Sequence, residues 1–101
     1  MTEDEQMAAC FRALSHPTRA RLFRLLVTDP ATGASYGTLQ TATGLTDATL
    51  IHHLREMERG HVVGRIRKGA FVSYRIAPAL FTRTVSRALA MAGAVRLRDV
   101  A

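Results

Sequence analysis

Residues 44–63 read GLTDATLIHHLREMERGHVV, and the adjacent His52 and His53 raise three chemistries: metal ligation, acid–base catalysis, or recognition of a polyanion. On a helix turning about 100° per residue the two rings lie a quarter-turn apart, so they do not easily bind one ion together. His52 and Glu56 have an i, i+4 spacing that a metal can use. Two weak ligands with no cysteine and no further donor nearby nevertheless make a poor site, and no metal is expected. Catalysis has no better footing. The chain offers no supported Ser-His-Asp spacing, no phosphate-cradling glycine loop and no paired carboxylates in an apolar setting. The chain is therefore not read as an enzyme, and no cofactor is expected.

The third chemistry fits the rest of the helix. Leu50, Leu54 and Met57 cluster on one side with His53 and Asp47 on its flanks, and Ala48, His52, Arg55 and Arg59 fall opposite. Thr49, Ile51 and Glu56 lie between. His53, at the core's edge, reads as a hydrogen-bonded packing histidine, while His52 looks outward. A surface of small residues, hydroxyls, histidine and arginines is what a DNA major groove accepts. Ala48 permits close approach or meets a thymine methyl, Thr49 bonds a phosphate or base edge, and His52 and Arg55 reach acceptors such as guanine N7 and O6. Alone, such a face is equally well explained as solvated. It is followed, however, by a stretch with Arg65, Arg67, Lys68 and Arg75, a glycine between its two apolar runs and no acidic residue. A basic two-stranded ribbon of this kind suits phosphate or minor-groove contact.

The elements that position these residues follow from periodicity and caps. Met7, Cys10, Phe11 and Leu14 have the spacing of one helix face, interrupted at Ser15-His16-Pro17, and Pro17 fits the first turn of a second helix. That helix should run to about Val27, with Ala20, Leu22, Phe23, Leu25 and Leu26 inward and Arg19, Arg21 and Arg24 outward. DPATGAS, residues 29–35, reads as a loop. A short helix from Tyr36 to Thr43 stops at Gly44, and Thr46 caps the next, about Asp47 to Arg59, which ends at Gly60. Val62 to Arg67 and Phe71 to Ile76 pair as a hairpin about Lys68-Gly69, closed by Pro78. A final helix from about Leu80 to Leu97 carries Phe81, Val85, Ala88, Ala92 and Val95 in a stripe. This order predicts a mainly helical α+β fold: a winged helix–turn–helix with a two-stranded β-hairpin wing and N- and C-terminal dimerisation helices.

The whole chain sets the limits. Its 101 residues, 48% hydrophobic, suit one domain over residues 1–101 with a small core. The formal net charge is +6, and all but one of the 14 Lys+Arg are arginine. That charge points to a polyanionic partner and the guanidinium suits phosphates and bases, although a GC-rich genome gives the same bias. No apolar run reaches the roughly 18 residues of a membrane span, the MTEDEQ start is acidic where a signal peptide is basic, and the single Cys10 excludes an internal disulfide framework. A cytoplasmic protein without a membrane partner is expected.

FRALSHPTRARLFRLL (11–26) resembles the opening signature of the ArsR-type winged-helix repressors, and residues 44–76 resemble their recognition helix and wing in the same order and spacing. The resemblance covers roughly residues 8–90. It implies a homodimeric repressor that binds double-stranded operator DNA and is released by an inducer, often a metal ion or metalloid. The DNA-binding residues would be Tyr36, Thr46, Asp47, Ala48, Thr49, His52, Arg55, Arg65, Arg67 and Lys68. The match is not complete. Family recognition helices usually begin Ser-Gln-Ser-Thr/Ala, where this chain has Thr46, Asp47, Ala48 and Thr49, and Ile51 stands where serine often precedes the histidines. Asp47 would repel phosphate, accept from a cytosine amino group, or simply stabilise the helix N-terminus. The loop at 29–35 is longer than in many members. The Cys-x-Cys pair of arsenic and cadmium sensors would fall near Ser35 to Gly37, where no cysteine occurs, and the last helix lacks the ligands of zinc and nickel sensors. The expected regulator therefore has an inducer other than an obvious metal. The alternative is a winged-helix adaptor that binds protein and has lost its operator, a reading favoured by Asp47 and Ile51.

The two terminal stripes are expected to form the dimer interface through Met7, Cys10, Phe11, Leu14, Phe81, Val85, Ala88, Leu89 and Ala92, because so small a core is not expected to cover them. Cys10 reads as a buried small hydrophobe whose thiol has a raised pKa. The competing reading is an intersubunit disulfide, which requires Cα atoms within about 7 Å.

Overall fold

The computed structural model describes residues 1–77 and 79–100, with side-chain surroundings up to Ala94. Pro78, expected to close the hairpin, and the Val95 side chain, expected in the last stripe, lie outside the described residues. The first helix, α1 (Glu3–Leu14), starts at a capping box in which Thr2 Oγ1 accepts from the Glu5 N–H at 3.1 Å and the Glu5 carboxylate accepts from Thr2. In α2 (Pro17–Val27) the cap is His16, whose Nδ1 accepts from the Thr18 N–H at 3.0 Å, with Pro17 at the first helical position. Next come β1 (Ala34–Ser35) and α3 (Tyr36–Thr43), the latter capped by Ser35 and closed by Gly44 at a left-handed φ of 68°. Thr46 caps α4 (Asp47–Arg59) by accepting from the Thr49 N–H. The hairpin is β2 (Val63–Lys68) and β3 (Phe71–Ile76), and α5 (Ala79–Val100) completes the chain.

β1 was not expected. Ala34 pairs with Tyr74 and Ser35 with Ser73, giving an antiparallel sheet in the order β1-β3-β2. The wing hairpin β2–β3 is as expected, and the extra strand ties its base to α3. Gly33 makes the pairing possible, since a Cβ there would lie 1.9 Å from the Tyr74 carbonyl oxygen and its φ is +68°.

The core joins the inner faces of α2, α3 and α4 to the sheet through Leu22, Leu26, Leu39, Leu50, Leu54, Met57 and Val62, all fully buried. Burying each leucine stabilises by about 1.5–3 kcal/mol. Where α4 ends, Gly60 has an ordinary φ of −83° and serves packing. A Cβ on it would sit 2.4 Å from Ala13 Cβ and 2.6 Å from the Ala9 carbonyl oxygen, so α1 and α4 approach this closely only over a glycine. The left-handed residue that turns the chain is His61, at φ 61°.

Arg19 corrects the outward assignment made for α2. It is 9% exposed, while Ala20, assigned inward, faces solvent. The guanidinium donates to the Arg12 carbonyl in the last turn of α1 at 3.4 Å and meets His53 Nδ1 at 3.3 Å. A cation at the negative end of a helix dipole is favourable, which compensates part of its burial. Arg21, by contrast, reaches outward as expected and caps α3 by donating to the Ala42 carbonyl at 2.6 Å.

The structure divides the two terminal stripes. Cys10 and Phe81 are buried inside the chain's own core, and Leu14 and Val85 pack against it. With only 2% exposure, Cys10 has almost no surface to offer a partner. Met7 lines a groove between α1 and α5 with Glu3, Gln6, Leu80, Arg83, Thr84 and Arg87, across which Glu3 and Arg87 form an ion pair. Phe11, Leu89 and Ala92 face outward, Leu89 at 71% exposure, and Ala88 is half-buried. From Leu89 to Ala94 no residue of α5 is buried. Among the described residues no helix is long and apolar enough to cross a membrane.

Candidate nucleic-acid interface

α3 and α4 are joined by Gly44-Leu45-Thr46 and form the helix–turn–helix. The inner side of α4 buries Leu50, His53, Leu54 and Met57. Ala48, Thr49, His52, Arg55 and Arg59 are all exposed on the other side. Thr46 donates its hydroxyl to Thr49 Oγ1 at 3.0 Å, which leaves the Thr49 hydroxyl proton free for an external acceptor. The wing stands beside this face. An open cleft of about 500 Å³ is lined jointly by Ile51, Arg55 and Glu58 of α4, by Arg65, Phe71, Val72 and Tyr74 of the hairpin, and by Tyr36 of α3.

Cross-strand register orients the wing. Arg65 pairs with Tyr74 and Arg67 with Val72, so both arginines share the hairpin face that carries Tyr74 and Val72. Lys68 pairs with Phe71 on the other face. The basic residues of the wing thus straddle its tip. All three cations are exposed, and Phe71 is 79% exposed.

The two histidines of the opening stretch part company as expected. His53 is buried; its ring centroid lies 4.6 Å from that of His16 and 5.4 Å from that of His52, and its Nδ1 meets the Arg19 guanidinium. A guanidinium only donates, so this contact requires a neutral imidazole with a free Nδ1 lone pair. Burial pushes the His53 pKa down, and the charges of His16, Arg19 and His52 push in the same direction. Burial likewise raises the Cys10 thiol, which makes it a slow nucleophile. Among the described residues no three His, Cys, Asp or Glu side chains come together as a metal site would require.

Tyr36 and Asp47 bond to each other. The Tyr36 hydroxyl donates to Asp47 Oδ1 at 2.6 Å, and Gln40 Nε2 donates to the same oxygen at 2.7 Å. The hydrogen bond to the carboxylate, and then burial, push the Tyr36 pKa up to about 12. Tyr36 therefore borders the cleft with its proton already committed. Gln40 and Phe71 are the residues that sequence reasoning missed. The i, i+4 spacing of Tyr36 and Gln40 marks one face of α3, and alternation along β3 sets Phe71 opposite Tyr74.

Comparison with known proteins agrees with this architecture. A family model described as a helix-turn-helix domain matches residues 14–63, from the end of α1 to the start of β2. An ArsR-like transcriptional regulator from Rhodococcus sp. RHA1 has a TM-score of 0.75 at 25% identity, over 96% of this chain and 88% of that one. A homodimeric winged helix-turn-helix DNA-binding domain from Mycobacterium bovis, described as a possible ArsR-family regulator, gives 0.68 at 27% identity over 88% and 80%. The transcriptional repressor BigR from Xylella fastidiosa gives 0.63 at 26% identity over 85% and 92%. No curated protein sequence matches the chain. The helix–turn–helix, the basic wing and the likeness to these structures support an ArsR-type winged-helix transcriptional regulator.

Proposed function

We propose that the protein is a homodimeric, cytoplasmic repressor that binds a pseudo-palindromic operator, with one α4 helix in the major groove of each half-site and the wing on the flanking backbone. The observation that carries this reading is the shared cleft. The exposed face of α4 and the basic hairpin border one surface, with Arg55 and Arg65 lining the same cleft, the arrangement needed to span a phosphate strand between two grooves. Thr46, Ala48, Thr49, His52 and Arg55 meet the groove in this reading, and Arg65, Arg67 and Lys68 meet phosphates.

Dimerisation draws on α5. From Leu89 to Ala94 the helix buries no residue in its own chain, and a helical stretch without packing is marginal in water; Leu89, Met91 and Phe11 are large apolar residues left exposed. The Mycobacterium bovis relative is described as homodimeric. Of the two features behind the adaptor reading, Ile51 is half-buried in the cleft and Asp47 is bonded by Tyr36 and Gln40 of α3.

Titration of duplex DNA at several salt concentrations tests the proposal. Arg67→Gln and Lys68→Gln should each weaken binding to all sequences and lower the slope of log affinity against log salt by about one. An unchanged slope in both variants contradicts the placement of the wing.

A further inference from the structure

We infer that Asp47 is a fixed acceptor that reads the N4 amino group of one cytosine in each half-site, held for that task by Tyr36 and Gln40; the inference rests on the DNA-binding reading above. Asp47 is the first residue of α4 and is exposed. A carboxylate at this position ordinarily supports the helix start by taking backbone N–H groups. Here no N–H of α4 donates to it, and the capping is done by Thr46. Its bonds come instead from two side chains of the preceding helix, Tyr36 and Gln40, and both end on Oδ1. Oδ2 receives no bond among the described residues, and neither ion pair among them, Arg59–Glu56 and Glu3–Arg87, involves Asp47.

The protein therefore fixes an unneutralised anion on the surface it offers to a polyanion. Near phosphate such a charge weakens binding, and it becomes favourable only where a donor faces it. Guanine O6 and N7 and thymine O4 are acceptors and repel a carboxylate. Adenine offers N6 beside the acceptor N7. Cytosine offers N4 beside a C–H, so it is the base whose major-groove edge suits a carboxylate. Two donors on Oδ1 hold the carboxylate plane and direct the free oxygen's lone pairs, which reduces the ordering required on binding. Ala48, the next residue, is small enough for the first turn to approach the base pairs.

Selection of bound duplexes from a random pool tests this, run with wild type, Asp47→Asn, Tyr36→Phe and Gln40→Met. Wild type should select a two-fold symmetric motif with one strongly required cytosine per half-site. Asp47→Asn should relax that position about tenfold, within what one base contact is worth, while keeping the rest of the motif and equal or higher affinity for non-cognate DNA. The two α3 variants should relax the same position partly, with an unchanged circular-dichroism melt. If wild type selects no motif, the DNA-binding reading itself fails. A wild-type motif with no required cytosine, or one that Asp47→Asn leaves unaltered, overturns the cytosine assignment. If Asp47→Asn does not fold, the α3 variants decide: a motif unchanged in both overturns the inference.

Discussion

The two sides of α4 differ sharply, one buried and one exposed, although they alternate along one 13-residue helix. His53 is buried, kept neutral first by that burial and then by the neighbouring charges, and contributes to packing; His52, one residue earlier, is exposed and makes no hydrogen bond among the described residues. The same side chain thus has two roles, set by a quarter-turn of helix. Chemistry inferred from residue type alone, such as a histidine pair for a metal, fails here because the pair never shares a face.

If the inner side carries stability and the outer side recognition, variants on the two should separate cleanly. Leu54→Ala should have the largest effect, a loss of about 2–5 kcal/mol in chemical denaturation, with an unaltered base preference in whatever protein stays folded. Gly60→Ala follows at about 1–3 kcal/mol, because the added methyl meets the Ala9 carbonyl oxygen and Ala13, and backbone must shift. Its melting temperature should fall while the outer side keeps its DNA preference.

A third test uses pH. The folded-state pKa of His53 lies below its ordinary 6.5. In the window between the two values the unfolded chain binds a proton that the folded chain refuses, so stability rises with pH there. The contribution is complete above about pH 6.5 and is lost as pH falls through the folded-state value. Denaturation midpoints measured across that range should slope for wild type and flatten in His53→Gln. His52→Gln should leave most of the slope.

What could be read from the sequence was local. The ends of α3 and α4 follow from Gly44 and Thr46, whose effects act within one turn, and the outer side of α4 follows from periodicity. Four features depended on distant residues. Arg19 lay at the edge of an apolar stripe, and only the placement of α1 and α4 supplies the carbonyl and imidazole that draw it inward. β1 is two residues long, and its partner strand is far along the chain. Gly60 read as a helix stop, but its need for room comes from α1. Asp47 admitted three roles, and the bonds it receives come from Tyr36 and Gln40 of the preceding helix. The wing's cations were legible as charge, but their division between two faces required the register.

The smallest structural change with the sharpest functional consequence lies on the outer side. His52→Ala and Arg55→Ala remove exposed groups, so each should alter stability by less than about 0.5 kcal/mol. The central claim is that this side of α4 reads base sequence, and it is tested most directly by fluorescence anisotropy at fixed salt. Wild type, His52→Ala and Arg55→Ala would each be titrated with the duplex selected by wild type and with a scrambled duplex of equal composition. The prediction is that wild type prefers the selected duplex and that each variant loses about 1–3 kcal/mol of that preference while keeping its affinity for scrambled DNA within a few fold. Equal preference in wild type and both variants would contradict the account.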